Sequence, residues 1–170
     1  MDTPLNQALL RHNTCFGCGL DNPSGLQLRV TRDPTRPGVL CATLTPPEGL
    51  AGFPGITHGG ILFTALDCLS TWVATVLGPN RQAGWILRSA TTTYHQPAPV
   101  GHALRLEGSI KESAGPWDAI LVQTEARRAD GSICVEAQFK VLPLPPARLA
   151  GLAGLAELPD NWRDFLAGGI

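Results

Sequence analysis

The chain has 170 residues, of which 44% are hydrophobic and 16% charged; that is enough for one domain with a hydrophobic core and too short for two comfortable ones. Its net charge is -1, and no run of Lys or Arg stands out. An electrostatic footprint for nucleic acid or an anionic membrane is therefore missing, and both partner classes are excluded. Charge is also sparser than the roughly 25% typical of soluble domains, which points to apolar surface covered by a partner subunit.

Met1 to Asn13 has neither a basic start nor an apolar run, so no signal or transit peptide is expected and a cytoplasmic protein follows by default. The longest apolar-rich segment, Gly60 to Leu77, carries Asp67, Thr64, Ser70, Thr71 and Thr75, which argues against a membrane span. Five cysteines is an odd number, and Cys41, Cys68 and Cys134 sit in apolar contexts where a thiol behaves as a small hydrophobe. Reduced thiols are expected.

In chain order, Leu26, Leu28 and Val30 alternate with polar residues, and Val39 to Leu44 is a second β-type run beyond the turn-rich 33–38 segment. A Gly/Pro-rich connection, Pro46 to Thr57, leads to a helix of about five turns from His58 or Gly59 to Leu77, ended by Gly78-Pro79. That helix is apolar almost all round, as a helix wrapped by its own domain should be. Four β-type stretches follow: Trp85 to Tyr94, Ala103 to Lys111, Trp117 to Arg127 and Ser132 to Leu142. In the last, Ile133, Val135, Ala137, Phe139 and Val141 share one face against Glu136, Gln138 and Lys140. Asp130-Gly131 is a hairpin signal that predicts positive φ at both positions. Residues 1–25 read as an N-terminal extension with a Cys-x-x-Cys turn, 26–142 as the main domain, and 143–170 as a tail with a short helix around Asn161 to Leu166, whose Trp162, Phe165 and Leu166 can dock on the body. One antiparallel sheet wrapped round one helix is the economical architecture.

Two places can carry chemistry. The segment Gly55-Ile56-Thr57-His58-Gly59-Gly60 opens the helix, where backbone N–H groups lack intrahelical acceptors and sit at the positive end of the dipole. Such a terminus can polarise a carbonyl; equally, Gly59 and Gly60 can serve only close helix packing. Asp67 is the only formally charged residue between His58 and Arg81. A carboxylate in an apolar helix is costly unless paired or functional. The alternative puts it on a polar strip with Thr64, Thr71 and Thr75 that faces solvent or a subunit boundary.

His58-Gly59-Gly60 followed by Asp67 resembles the signature of the hotdog-fold thioesterase superfamily, specifically its phenylacetyl-CoA thioesterase-like branch. Cys15-Phe16-Gly17-Cys18-Gly19, with Asn22-Pro23 and Gly25-Leu26, is similar to an entry motif of several such proteins. Tyr94 and Pro97 match the end of the family's third strand. The likeness covers about Cys15 to Leu142. It implies an α+β hotdog fold, with one antiparallel sheet of about six strands around a long central helix. It implies hydrolysis of an acyl-CoA or acyl carrier thioester, with His58, Gly60 and Asp67 at the catalytic centre. The Gly60 N–H would polarise the carbonyl, and Asp67 would act as nucleophile or general base. Helix geometry adds that Gly60 and Asp67 are separated by about 10 Å of rise, too far to act on one carbonyl from one helix. A site shared across a homodimer, or a dimer of dimers, meets that demand.

The branch often carries a hydroxyl early on the third strand, and that place here holds Leu87; Ser89 and Thr91 are expected on the same strand face as substitutes. Gly59, Phe53 and Trp72 complete the expected substrate-binding set, with Phe53, Ile61, Leu62 and Trp72 predicting medium-chain or aromatic acyl groups. Cys15 and Cys18, even with His12, fall short of four zinc ligands, so neither metal nor cofactor is expected. His95 and His102 read as surface or structural, and Arg81, Arg88, Arg127 and Arg128 as solvated. Two other activities compete on the same fold: non-catalytic acyl-CoA binding, favoured by Leu87, and hydratase or dehydratase chemistry.

Overall fold

The computed structural model describes residues 3–168. At its centre is one helix, named α2 here, spanning Gly59–Leu77. His58 is its N-cap and the Gly78 N–H closes the last turn onto the Ala74 carbonyl, so both expected boundaries hold. Among the described residues α2 is the one helix long and apolar enough to cross a membrane, yet 56% of its most apolar window is buried inside the fold. Leu62, Leu66, Leu69, Val73 and Val76 meet a single continuous core with Phe139, Leu104, Leu106 and Val122. Burying a side chain of this size contributes about 1.5–3 kcal/mol, so this seam fixes the helix on the sheet.

The strands are β1 (Thr31–Arg32), β2 (Leu40–Leu44), β3 (Ala51–Phe53), β4 (Ile56–Thr57), β5 (Gly84–Tyr94), β6 (Leu104–Glu112), β7 (Ile120–Arg127) and β8 (Ile133–Leu144). Six of them form one sheet in the order β1-β2-β6-β7-β8-β5, with antiparallel neighbours throughout, while β3 and β4 pair separately. The chain is an α+β protein with the hotdog architecture. Three sequence readings shift. Leu26 to Val30 is not a strand: Gln27 takes positive φ, at 49°, the Leu26 and Leu28 N–H groups bond the Phe16 and Gly17 carbonyls, and the first ladder begins only at Thr31. The 46–57 connection contains the β3–β4 hairpin. In the β7–β8 turn only Gly131 takes positive φ, at 84°, and Arg128 and Ser132 close the loop by hydrogen bond; a turn followed by one left-handed glycine replaces the two-residue turn.

Both ends of the chain pack on the body. In the short helix α1 (Leu5–Leu9), the buried Asn6 side chain donates to the Cys18 and Leu28 carbonyls and accepts from the Val30 N–H. It thereby knits the N-terminal segment to the first strand region. The tail forms α3 (Pro146–Leu152) and α4 (Asp160–Ala167), each entered from a proline. Trp162 and Phe165 of α4 pack against the core, with the Phe165 ring centroid 5.7 Å from that of Trp72 of α2 and Trp162 meeting Phe165 edge-on at 5.9 Å.

The faces of β5 decide where its hydroxyls point. Leu87 pairs with Val141 but Ser89 pairs with Lys140, so Arg88 is an extra, bulged residue. A bulge reverses the alternation beyond it. Ala90, Thr92 and Tyr94 consequently share the helix-facing side with their partners Phe139, Ala137 and Val135, and the Tyr94 hydroxyl donates to the Gly59 carbonyl at 3.0 Å. Ser89 and Thr91 instead lie opposite Lys140 and Gln138 on the sheet's other side. The expectation that they share the face of Leu87 is therefore corrected.

Candidate active site

Asp67 stands midway along α2, in the wall of a cavity of about 310 Å³. Thr71 and Thr75, four and eight residues on, line the same cavity, as their helical spacing requires. Their hydroxyls are turned back onto the helix: Thr71 donates to the Asp67 carbonyl at 3.3 Å and Thr75 to the Thr71 carbonyl at 2.9 Å. Ser70 does the same to Asp67 O at 2.8 Å. No hydroxyl of this helix is thus spent on the Asp67 carboxylate, and its buried Oδ1 has no hydrogen-bond partner among the described residues. Desolvation by burial, followed by the negative charge of Cys15, pushes the carboxyl above its ordinary value. The polar strip exists, but at Asp67, Thr71 and Thr75 it lines a cavity.

Much of the rest of that wall is apolar and aromatic. Trp72, Trp85, Ile86, Leu149, Trp162 and Phe165 contribute, so the C-terminal tail closes one side. Trp72 shares this cavity with Asp67. Phe53 is on β3 and 69% exposed, and neither it nor Ile61 belongs to this cavity's lining. The tail aromatics were legible as docking residues, but their place beside Asp67 required the fold.

The N-terminus of α2 forms a second, separate concavity of about 310 Å³, lined by Ile56, Thr57, Gly59, Leu62, Tyr94, His95 and the 96–98 segment. Here the His58 side chain accepts the Gly60 N–H at its Nδ1, 3.0 Å away. The amide singled out from the sequence is therefore capped by the histidine two residues before it. Gly59 lies under the Tyr94 ring, where an added Cβ would come 3.2 Å from Cε1; close packing and an available helix terminus thus coexist at this double glycine. His95 faces Glu136 at 3.1 Å, Arg127 pairs with Glu125 at 2.6 Å, and Arg128 donates to the Pro97 carbonyl.

A third feature escaped the sequence reading. The sulfurs of Cys15, Cys18 and Cys68 lie within 4.8 Å of one another, and all three residues line the Asp67 cavity. Cys68 looked like a small core hydrophobe because its neighbours in sequence are apolar. The N-terminal loop that meets it is 50 or more residues away, and only the fold joins them. His12 takes no part, facing Asp21 at 3.8 Å.

No protein-family model matches the sequence, and no curated protein does so. Solved structures do match. A thioesterase superfamily protein is 25% identical, with 79% of this chain and 64% of that one covered and a TM-score of 0.64; this chain thus spans less than two thirds of that protein's length. The E. coli PaaI protein from the phenylacetic acid degradation operon is 13% identical, covering 70% of this chain and 80% of its own, with a TM-score of 0.59. A hypothetical thioesterase from Streptococcus pneumoniae TIGR4, solved with coenzyme A, is 18% identical over 68% and 86% of the two chains, at a TM-score of 0.58. Central helix, strand order and structural neighbours agree, and the fold of this chain is the hotdog fold of thioesterase-superfamily proteins.

Proposed function

We propose that this protein is an acyl-CoA thioesterase in which Asp67 is the catalytic carboxylate and the acyl group occupies the aromatic cavity beside it. The observation that carries the reading is that Asp67 lines a largely apolar cavity while its buried Oδ1 has no hydrogen-bond partner among the described residues. A structural carboxylate in such surroundings would be paired, whereas a general base or nucleophile has to keep an oxygen free. In the general-base form, Asp67 takes a proton from water as the water oxygen bonds to the thioester carbonyl carbon. Collapse of the tetrahedral intermediate breaks the C–S bond, and the proton goes to the departing thiolate.

The Gly60 N–H is the proposed carbonyl-polarising donor. About 10 Å of helical rise separates it from Asp67, so the proposed site joins the helix N-terminus of one subunit to the Asp67 cavity of another. This also requires the His58 ring to give up the Gly60 amide when substrate enters. That requirement, together with Leu87 in place of the family hydroxyl, favours a second reading: a non-catalytic acyl-CoA-binding protein. The two are separated by a panel of acyl-CoA substrates with thiol detection, run on the wild type and Asp67→Asn. Thiol release lost in the variant while a non-hydrolysable analogue still binds supports hydrolysis; analogue binding by both without thiol release supports the binding reading.

A further inference from the structure

We propose that Cys15, Cys18 and Cys68 form a three-thiolate site for one zinc ion in the wall of the Asp67 cavity. Cys15 and Cys18 come from the N-terminal loop, where the Gly19 N–H bonds the Cys15 carbonyl at 2.9 Å and so curls the Cys-x-x-Cys segment into a turn. Cys68 comes from the middle of α2. The Cys15 and Cys68 sulfurs are 3.7 Å apart and the whole set lies within 4.8 Å. Zn–S bonds of about 2.3 Å at tetrahedral angles put sulfurs about 3.8 Å from one another, so the cluster is near the required size before any metal enters.

Three further observations favour a built site over a chance meeting of thiols. Gly17, between the two loop cysteines, has no side chain at the one place where a Cβ would fall 2.3 Å from Cys68 Sγ; the loop's close approach to the helix depends on that glycine. Around the sulfurs lie N–H donors, which stabilise thiolates and orient metal ligands. Trp72 Nε1 donates to Cys18 Sγ at 3.2 Å, Asn13 Nδ2 approaches the same sulfur at 3.6 Å, and the Asn13 carboxamide oxygen accepts the Cys15 N–H at 3.0 Å. The position of Asp67, next in sequence to Cys68 and lining the same cavity, supplies the third point. Three thiolates leave one tetrahedral position for water or a carboxylate oxygen, and this mixture of sulfur with oxygen suits zinc better than a wholly soft cation.

Zinc bound here displaces the thiol protons and ties the N-terminal loop to α2. The test does not depend on turnover, so its failure is distinct from failure of the thioesterase reading. The purified full chain, reduced, stripped with chelator and kept anaerobic, is titrated with cobalt(II) as a spectroscopic substitute and then with zinc. One cobalt per chain, a thiolate-to-cobalt charge-transfer band and its loss on zinc addition are expected. Cys15→Ser and Cys68→Ser should remove most of the band, whereas Cys41→Ser should retain it. Trp72→Phe, which keeps an aromatic ring but removes the N–H to Cys18, should weaken zinc binding by about 10–100-fold. Circular dichroism on each variant checks folding. No stoichiometric band in folded wild-type protein, or a band indifferent to Cys15→Ser and Cys68→Ser, overturns the site.

Discussion

At Asp67 the environment sets the sign of two measurable effects. Burial raises its carboxyl above the ordinary value, so the ionised form is the one the fold disfavours. The stability tied to that shift is fully present below the unfolded-state value of about 3.9 and is lost as pH rises through the raised folded-state value. Asp67→Asn is accordingly expected to leave the melting temperature at neutral pH unchanged or to raise it, while lowering kcat by about 10²–10⁴-fold. In the wild type the acid limb of the kcat profile should be displaced upward from the ordinary carboxylate value, the direction that burial sets. A Tm lowered by the substitution, with activity retained within about threefold, would return Asp67 to a structural role.

Among the elements, the β1–β2 turn is held to β6 by charge. Asp33, whose side chain is 2% exposed, receives Arg36 at 2.7 Å and Arg105 at 2.6 Å, and both arginines also reach Glu107 at 2.5 Å. Hydrogen bonds from Arg36 hold the carboxyls of Asp33 and Glu107 below their ordinary values. For such groups the stabilisation is present above the unfolded-state value and disappears as pH falls through the folded-state one. Asp33→Asn should therefore lower the melting temperature at pH 7, and the gap from wild type should narrow progressively below about pH 4. Equal gaps at pH 7 and in strong acid would mean that the network contributes through packing alone. At the C-terminal end, α4 supplies Phe165 to the Asp67 cavity. Phe165→Ala should enlarge it and move the ratio of kcat/KM values toward longer acyl chains, by roughly tenfold or more. An unchanged ratio across a chain-length series would place the acyl group elsewhere.

How much of this was legible in the sequence depends on how local its cause is. The boundaries of α2 rest on His58 and Gly78-Pro79, and the alternation of β8 on residues in direct succession, so both could be read directly. Asp67 stood out because a lone carboxylate in an apolar helix is conspicuous without coordinates. The bulge at Arg88 is not local in this sense. It exists because β5 must stay in register with β8 on both sides of it, and no period in 84–94 announces it; hence Ser89 and Thr91 were assigned to the wrong face. The meeting of Cys68 with Cys15 and Cys18, and of Phe165 with the Asp67 cavity, was missed for a similar reason, since each is made across a long loop closure.

For the whole molecule, the central question is what covers β5. This eleven-residue strand ends the sheet, and among the described residues β8 is its only partner. Its residues 87–91 and 93–94 are exposed. Long, open edges of this kind seek another strand, which agrees with the sparse charge and with the subunit-spanning site proposed above. Light scattering at micromolar concentration is expected to give at least a dimer; a stable, active monomer would remove the shared-site geometry. The open strand also carries a consequence for heating and dilution. If its second ladder is made between copies, each unfolding event releases two chains, and mass action makes the melting point depend on how much protein is in the tube. Tm should then climb steadily over a hundredfold range of concentration, and refolding yield should pass through an optimum, because too little protein leaves the edge unpaired and too much lets it pair in the wrong register.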